Sequence, residues 1–474
     1  MFIGNYYYEL PTALPELNAT SFYYVAFVFL AFCLSRSFRS VLRPIVIAIA
    51  NTIFLCSFGV NNLIIATSLA LFSYISGIIV KHVKKIYVLL PLVFIQVCFL
   101  ALCKYEIFNS ILDIIMPLGI SFYTFKNISY VVDVYQEKVD VQYNPLLYYD
   151  YACFFPCIVA GPINRSKEFF EELKDHSQLN YKDAKNGGIQ MLLGIFEKVV
   201  FSDYIAIIAN NLLNNNQAVG TNTILGIVLY SFVIYLDFDS YSNIAIGTAR
   251  LFGIHLPKNF NSPYLGHNLK DFWSRWHISL TSWLKDYIYI PLGGNKKGIC
   301  IKYVNILIVF LVSGIWHGST FNFVLWGILH AIIRIIEDVL ENLFSKIVKN
   351  AKIRHIISYL GIPINFVIVS LLWLVFRCNT IQEVIDIINR ALVTAPLDLS
   401  IIEITHNEII WLQIIMVIVI VLDILRNNFD MLDVLAGYFF IYRWVIYTVL
   451  IIVFLIFGVY GGSYDPSDFI YKWF

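Results

Sequence analysis

Long apolar blocks recur from one end of the chain to the other, separated by short polar loops. Crossing the hydrocarbon core takes about 20 apolar residues in a helix. On that measure candidate spans fall near residues 21–34, 41–58, 61–80, 86–103, 111–132, 146–163, 186–209, 224–247, 303–333, 356–376, 408–425 and 441–460. The blocks are continuous rather than alternating, which excludes the pattern of a membrane β-barrel. The expected fold class is therefore an all-α polytopic membrane protein with roughly ten to thirteen spans or re-entrant helices. No internal repeat is visible, which weakens an inverted-repeat transporter architecture. The polar stretches Arg165–Asn186 and Glu337–His355 are expected at the surface. Neither is long enough for a separate soluble domain, so residues 1–474 are read as one membrane-embedded domain.

Basic residues orient the spans. Arg36, Arg39 and Arg43 follow the first block, and Lys81, Lys84 and Lys85 follow the third, while Ser57–Asn62 between them carries no charge. This places the N-terminus outside and the loops at 36–43 and 81–85 in the cytoplasm. Arg426 and Arg443 bracket the loop before the last block, which puts the C-terminus outside as well. The leader of the first block is acidic and contains proline, so Phe22–Leu34 reads as a span rather than a cleavable signal.

Composition sharpens this picture. Of 474 residues, 59% are hydrophobic and only 14% charged, which excludes an ordinary water-soluble enzyme and a disordered chain. The charge is balanced at +1, so nothing favours nucleic acid as a partner. Most of the eight cysteines lie inside apolar blocks and are expected as buried thiols. Cys153 and Cys157 have neither zinc-knuckle nor redox spacing.

Candidate chemistry gathers in the second half. In Asp271–Gly294 aromatic and charged residues crowd together, and Trp273, Trp276, Leu280, Trp283, Leu284 and Tyr287 recur at helical spacing. The spacing predicts an aromatic stripe on one helix, with Arg275 and Ser279 on another face and His277 beside Thr281 and Leu284. Such a helix is too polar to face lipid and lies at the interface as an aromatic anchor or lines a protein cavity. Between Tyr303 and Ile333 there is no Asp, Glu, Lys or Arg, yet Ser313-Gly-Ile-Trp-His-Gly-Ser-Thr320 sits there. An ionisable group inside a membrane segment is a functional candidate, which singles out His317 between two glycines. A histidine bonded across helices fits that position as well. His330, further along, is read as packing. Asp237 and Asp239 need partners in their apolar surroundings, and Arg275 or Lys285 is expected to supply them. Lys126 and Asp133, two helical turns apart, are read as a structural pair. No metal-ligand spacing is found, so no metal is expected.

Five segments together resemble the membrane-bound O-acyltransferase (MBOAT) family, in the branch of bacterial alginate and peptidoglycan O-acetyltransferases. They are PLGISFYTFKNISYVVDVY (117–135), FFPCIVAGPINR (154–165), the run from Tyr235 through Asn261-Ser-Pro-Tyr264, DFWSRWHISLTSWLKDYIYIPLGGN (271–295) and SGIWHGSTFNFVLWGILH (313–330). They are collinear and define a family-like core at 117–330. One departure stands out: the branch usually has a small residue and Gly after Asp-Phe, where this chain has Asp239-Ser240.

The resemblance implies a helical bundle with a central tunnel, in the bacterial cytoplasmic (inner) membrane. It implies acetyl-CoA as the donor and transfer towards hydroxyls of a cell-envelope polysaccharide, either peptidoglycan or an exopolysaccharide. A separate extracytoplasmic acetyltransferase is an implied partner, beside membrane lipid. It also maps the family's catalytic histidine onto His317 and its second characteristic histidine onto His277. The chemistry agrees, because a hydroxyl needs a base to become nucleophilic and histidine titrates near neutrality. A D-alanyl transferase of the same family, fed by a carrier-protein thioester, is the alternative; a polysaccharide or lipid transporter is the alternative from another class.

The tail, residues 461–474, ends in Ser467-Asp-Phe-Ile-Tyr-Lys-Trp-Phe474 and resembles an F-I-Y-x-x-F ending in this acylation system. Tyr471 is thereby implied as an acyl relay. A phenol ionises far more readily than a sugar hydroxyl. Eleven residues of extended chain reach up to about 36–40 Å, well beyond the half-thickness of about 15 Å of the hydrocarbon core. An aromatic interfacial anchor is the plainer reading of the same tail.

Overall fold

A computed structural model of the chain describes residues 15–37, 42–105, 116–174 and 180–459. Among these residues every regular element is helical. In chain order the helices are α1 (Phe22–Ser37), α2 (Arg43–Ser57), α3 (Val60–Val83), α4 (Ile86–Lys104), α5 (Ile120–Tyr135), α6 (Pro145–Ala152), α7 (Ser166–Lys174), α8 (Tyr181–Phe196), α9 (Asp203–Asn214), α10 (Thr221–Leu251), α11 (Leu269–Arg275), α12 (Ile278–Leu284), α13 (Ile299–His317), α14 (Phe321–Ile347), α15 (Ala351–Arg377), α16 (Ile381–Leu392), α17 (His406–Asn428), α18 (Met431–Gly437) and α19 (Phe440–Phe457). Single turns fall at Phe155–Ile158, Pro263–Leu265 and Leu399–Ile402, and π-helical turns at Glu197–Ser202 and Lys285–Tyr289.

Seven described helices are long and apolar enough to cross a membrane: α3, α4, α10, α13, most of α15, α17 and α19. Helices α1 and α2 are apolar but shorter. Large apolar side chains remain exposed along these helices, and α19 buries none of its residues, as a lipid-facing helix should. The protein is an all-α polytopic membrane protein.

The helices gather into two compact units. One holds the described chain up to Leu192 together with Asn243–Pro257; the other holds Leu193–Ser242 and the described chain from Lys258. In the first unit α5 is buried along nearly its whole length despite its polar residues. Those residues are bonded internally. Lys126 donates to the carbonyl of Tyr151 at 3.0 Å, and Tyr148 donates its hydroxyl to Asn127 at 3.0 Å. The expected span at 146–163 is absent. Asn144 caps α6 with Pro145 at its first position, and Pro156 and Gly161 keep the following chain irregular.

Two further expected spans are not regular α-helix throughout. The 186–209 block is interrupted by the π-helical turn at Glu197–Ser202, a form common at functional sites. The 303–333 block splits at Gly318–Thr320, where Gly318 is fully extended and the chain re-enters as α14.

Candidate active site

His317 is the last residue of α13 and is 4% exposed. What fixes it is the tight hairpin of α13 and α14. A methyl placed on Gly314 would lie 2.3 Å from the carbonyl oxygen of Phe323, and one on Gly327 would lie 2.4 Å from that of Phe310. Only glycine allows backbones this close. Asn322, at the start of α14, donates to the carbonyl of Cys378 at 2.7 Å and ties the hairpin to the end of α15. The imidazole of His317 then lies among aromatic rings: Trp316 at 4.6 Å between centroids, Phe376 at 5.0 Å and Trp326 at 5.1 Å.

His277 is held by a different device. The stripe expected on one helix is divided between α11 and α12, because the chain leaves helical geometry at Trp276 and His277. Arg275 and Ser279 consequently do not share a helical face. His277 has φ +41°, the left-handed region that residues with a Cβ rarely adopt. Asn259 clamps this corner. Its carbonyl accepts from Ile278 N–H at 2.9 Å, its Oδ1 accepts the Ser279 hydroxyl at 2.6 Å, and its Nδ2 donates to Ser242 Oγ at 3.1 Å. Asn261 N–H donates to the carbonyl of Arg275 at 3.0 Å. The His277 ring meets Phe238 edge-on at 4.6 Å and lies 6.5 Å from the ring of Trp316. Burial disfavours its charged form and pulls its pKa well below the ordinary histidine value.

Trp316 thus neighbours both histidines named from the sequence. On the other side of His317 the aromatic cluster continues through Trp326 to His330, 4.6 Å away between centroids, and on to Trp273 and Trp373. The result is a buried, aromatic site with a histidine at its centre. Such surroundings strengthen any hydrogen bond made to a charge that develops during reaction.

A family model described as MBOAT, membrane-bound O-acyltransferase family, matches residues 137–378, just over half of the chain. The chain belongs to the membrane-bound O-acyltransferase family. His277 and His317 both lie inside the matched segment, as do His330, Trp326 and Trp373. Curated relatives agree with this membership. A probable alginate O-acetylase of Pseudomonas aeruginosa is 30% identical over 362 residues, covering 72% of this chain and 68% of the relative. A peptidoglycan O-acetyltransferase of Helicobacter pylori is 35% identical over 306 residues, covering 58% of this chain and 57% of the relative. A teichoic acid D-alanyltransferase of Bacillus subtilis is 31% identical over 236 residues, covering 47% of this chain and 58% of the relative.

Within this acyltransferase chain the buried acids have partners other than those expected. Asp237 pairs with Lys198 at 2.6 Å, and Lys198 also holds Asp203 at 2.7 Å. Asp239 pairs with Arg426 at 2.8 Å, and Arg426 reaches Glu197 at 3.3 Å. Arg275 instead binds Asp271, one turn back on its own helix, and Asn427 at 2.7 Å. Sequence spacing favoured a nearby cation, whereas the bundle brings α10 against the π-helical turn and α17. Lys198 does carry a signal in the sequence, as an ionisable residue within the apolar run 186–209. Arg426 ends an apolar helix and reads as a loop charge without the fold.

Among the described residues no group of His, Cys, Asp and Glu is arranged to hold a metal ion. Tyr471 lies outside the described residues.

Proposed function

We propose that this enzyme moves an acetyl group from a cytoplasmic thioester, acetyl-CoA, towards hydroxyls of a cell-envelope polysaccharide in the bacterial cytoplasmic membrane. The observation that carries the reading is His317: a buried imidazole ending a span with no Asp, Glu, Lys or Arg from Tyr303 onward, inside the family match and lined by aromatic rings. In this reading His317 takes the proton of the attacking hydroxyl, and a passage through the bundle lets donor and acceptor meet there. His277 shapes the site through Trp316. The alginate and peptidoglycan O-acetyltransferases among the relatives support acetyl as the acyl group and a polysaccharide as the acceptor. A separate extracytoplasmic acetyltransferase as the next carrier, and Tyr471 as a relay at the chain's end, complete the proposal. The D-alanyltransferase relatives support a second reading with the same chemistry and a carrier-protein thioester as donor.

Purified protein in lipid nanodiscs with labelled acetyl-CoA tests the first reading. His317→Ala is expected to remain folded and to lose roughly 100- to 10,000-fold in rate, the range for removal of one catalytic base. Near-normal turnover by that variant would overturn the assignment. Activity with D-alanyl carrier protein and none with acetyl-CoA would establish the second reading. Tyr471→Phe tests the relay: it keeps the ring and removes the acyl-accepting hydroxyl, so unchanged delivery of acetyl groups would rule the relay out.

A further inference from the structure

Three buried N–H donors, in rings clustered around Trp326, meet no acceptor among the described residues. His330 in α14 is fully enclosed, and its Nδ1 accepts the indole N–H of Trp273 at 3.3 Å. A ring nitrogen that accepts carries no proton, so this imidazole is neutral with its proton on Nε2. That Nε2–H meets no hydrogen-bond partner among the described residues. Neither do the indole N–H groups of Trp326 and Trp373, which are 0% and 1% exposed. The three rings are mutual neighbours, with centroids 4.6 Å apart for Trp326 and His330, 6.0 Å for Trp326 and Trp373, and 6.4 Å for His330 and Trp373.

Buried donors are nearly always bonded, because stranding one forfeits its interaction with water. Packing alone would be served as well by phenylalanine, which brings no N–H. Three stranded donors in one cluster, one of them edge-on to the ring of His317, therefore call for an acceptor that the described residues do not provide.

We propose that His330 Nε2–H, Trp326 Nε1–H and Trp373 Nε1–H form a donor set for the carbonyl oxygen of the transferred acyl group. The proposal rests on the acyl-transfer reading above and assigns the half of the reaction that His317 does not perform. The acceptor hydroxyl oxygen adds to the thioester carbon while His317 takes the hydroxyl proton. The carbonyl π pair moves onto oxygen, and the donor set takes up that negative charge. When the carbonyl re-forms, the C–S bond breaks and the thiolate receives the proton from His317, leaving an ester and a free thiol. Donors fixed in place before the charge appears need no reorganisation, which is why such sets act on turnover more than on binding.

The test uses the full-length protein in nanodiscs and reads kcat, KM for acetyl-CoA and the thermal midpoint. Trp326→Phe and Trp373→Phe keep an aromatic ring and remove one N–H each. Each is expected to lower kcat by roughly 100-fold or more, as loss of one oxyanion donor does, with KM little changed. The midpoint of the resting protein is expected to stay level or rise, since a stranded donor has been removed. His330→Gln, which can offer an amide N–H near the position of Nε2, is expected to recover part of the activity lost in His330→Leu. Trp→Phe variants that turn over normally but melt earlier would overturn the proposal, because the N–H groups would then be holding a structural water. A wild-type protein without any thioester chemistry would instead overturn the functional reading, and the donor set's role with it.

Discussion

Trp273 donates its indole N–H to Nδ1 of His330 at 3.3 Å, so a residue of α11 decides which nitrogen of a buried histidine in α14 keeps its proton. Trp273→Phe removes that bond and leaves both tautomers open to His330. One hydrogen bond of about 0.5–1.5 kcal/mol net corresponds to a loss of roughly two- to thirteenfold in kcat. Steady-state acetyl transfer checks this. An unchanged kcat would show that the tautomer of His330 does not matter to turnover.

At His277 backbone and side chain make separate demands. His277→Ala keeps a left-handed φ on a residue with a Cβ and removes the ring that meets Phe238 and Trp316. It is expected to lower both activity and the detergent melting temperature. His277→Gly removes the same ring but relaxes the backbone, so it should be more stable than the alanine variant by about 1 kcal/mol. Comparable activity loss in the two with different melting temperatures would confirm the division. Activity loss with no change in stability in either would refute it.

The hairpin that presents His317 depends on two glycines. Gly314→Ala would push a methyl to 2.3 Å from the Phe323 carbonyl oxygen, and Gly327→Ala would do the same at 2.4 Å from that of Phe310. Neither neighbour is a flexible side-chain tip that can turn away. Each change is expected to cost about 1–3 kcal/mol or more, read as a lower melting temperature and a lower yield of monodisperse protein. Full yield and an unchanged midpoint for Gly314→Ala would mean that the hairpin can open without loss.

His255 follows the last turn of α10 and lies outside the spans. Its Nδ1 is 2.9 Å from Glu172, and its Nε2 is 3.6 Å from Asp183, which also binds Arg250. The hydrogen bond to Glu172, with the nearby carboxylates, raises its pKa above the ordinary histidine value against a smaller effect of burial. The sign follows from a raised folded-state pKa. The contact stabilises fully below the unfolded pKa of about 6.5 and fades as pH rises through the folded value. Because half of the side chain is open to solvent, the effect should be small. Melting temperatures from pH 5.5 to 8.5 should fall less steeply for His255→Gln than for wild type; identical slopes would show that the pair contributes nothing.

The two histidines named from the sequence, His277 and His317, prove to be neighbours of one indole, Trp316. That proximity was not legible in a sequence separation of forty residues. His317 could be singled out because hydropathy makes an ionisable group conspicuous in an apolar run. His277 could be named only through its surrounding motif. The fold class was legible for the same reason as His317: hydrocarbon forces backbone groups to be bonded within each segment, so long apolar blocks mean helices.

What the sequence did not determine is where those blocks break and which charges meet. Proline, glycine and a π-helical turn interrupt apolar runs without altering their hydropathy, so 146–163, 186–209 and 303–333 read as continuous spans. The partners of Asp237 and Asp239 come from Lys198 and Arg426 because helix packing joins residues far apart in the chain, and spacing along one helix carries no record of that. The stranded donors of His330, Trp326 and Trp373 are likewise a tertiary fact. In sequence each is an aromatic residue at helical spacing; only the fold encloses their N–H groups away from any acceptor among the described residues.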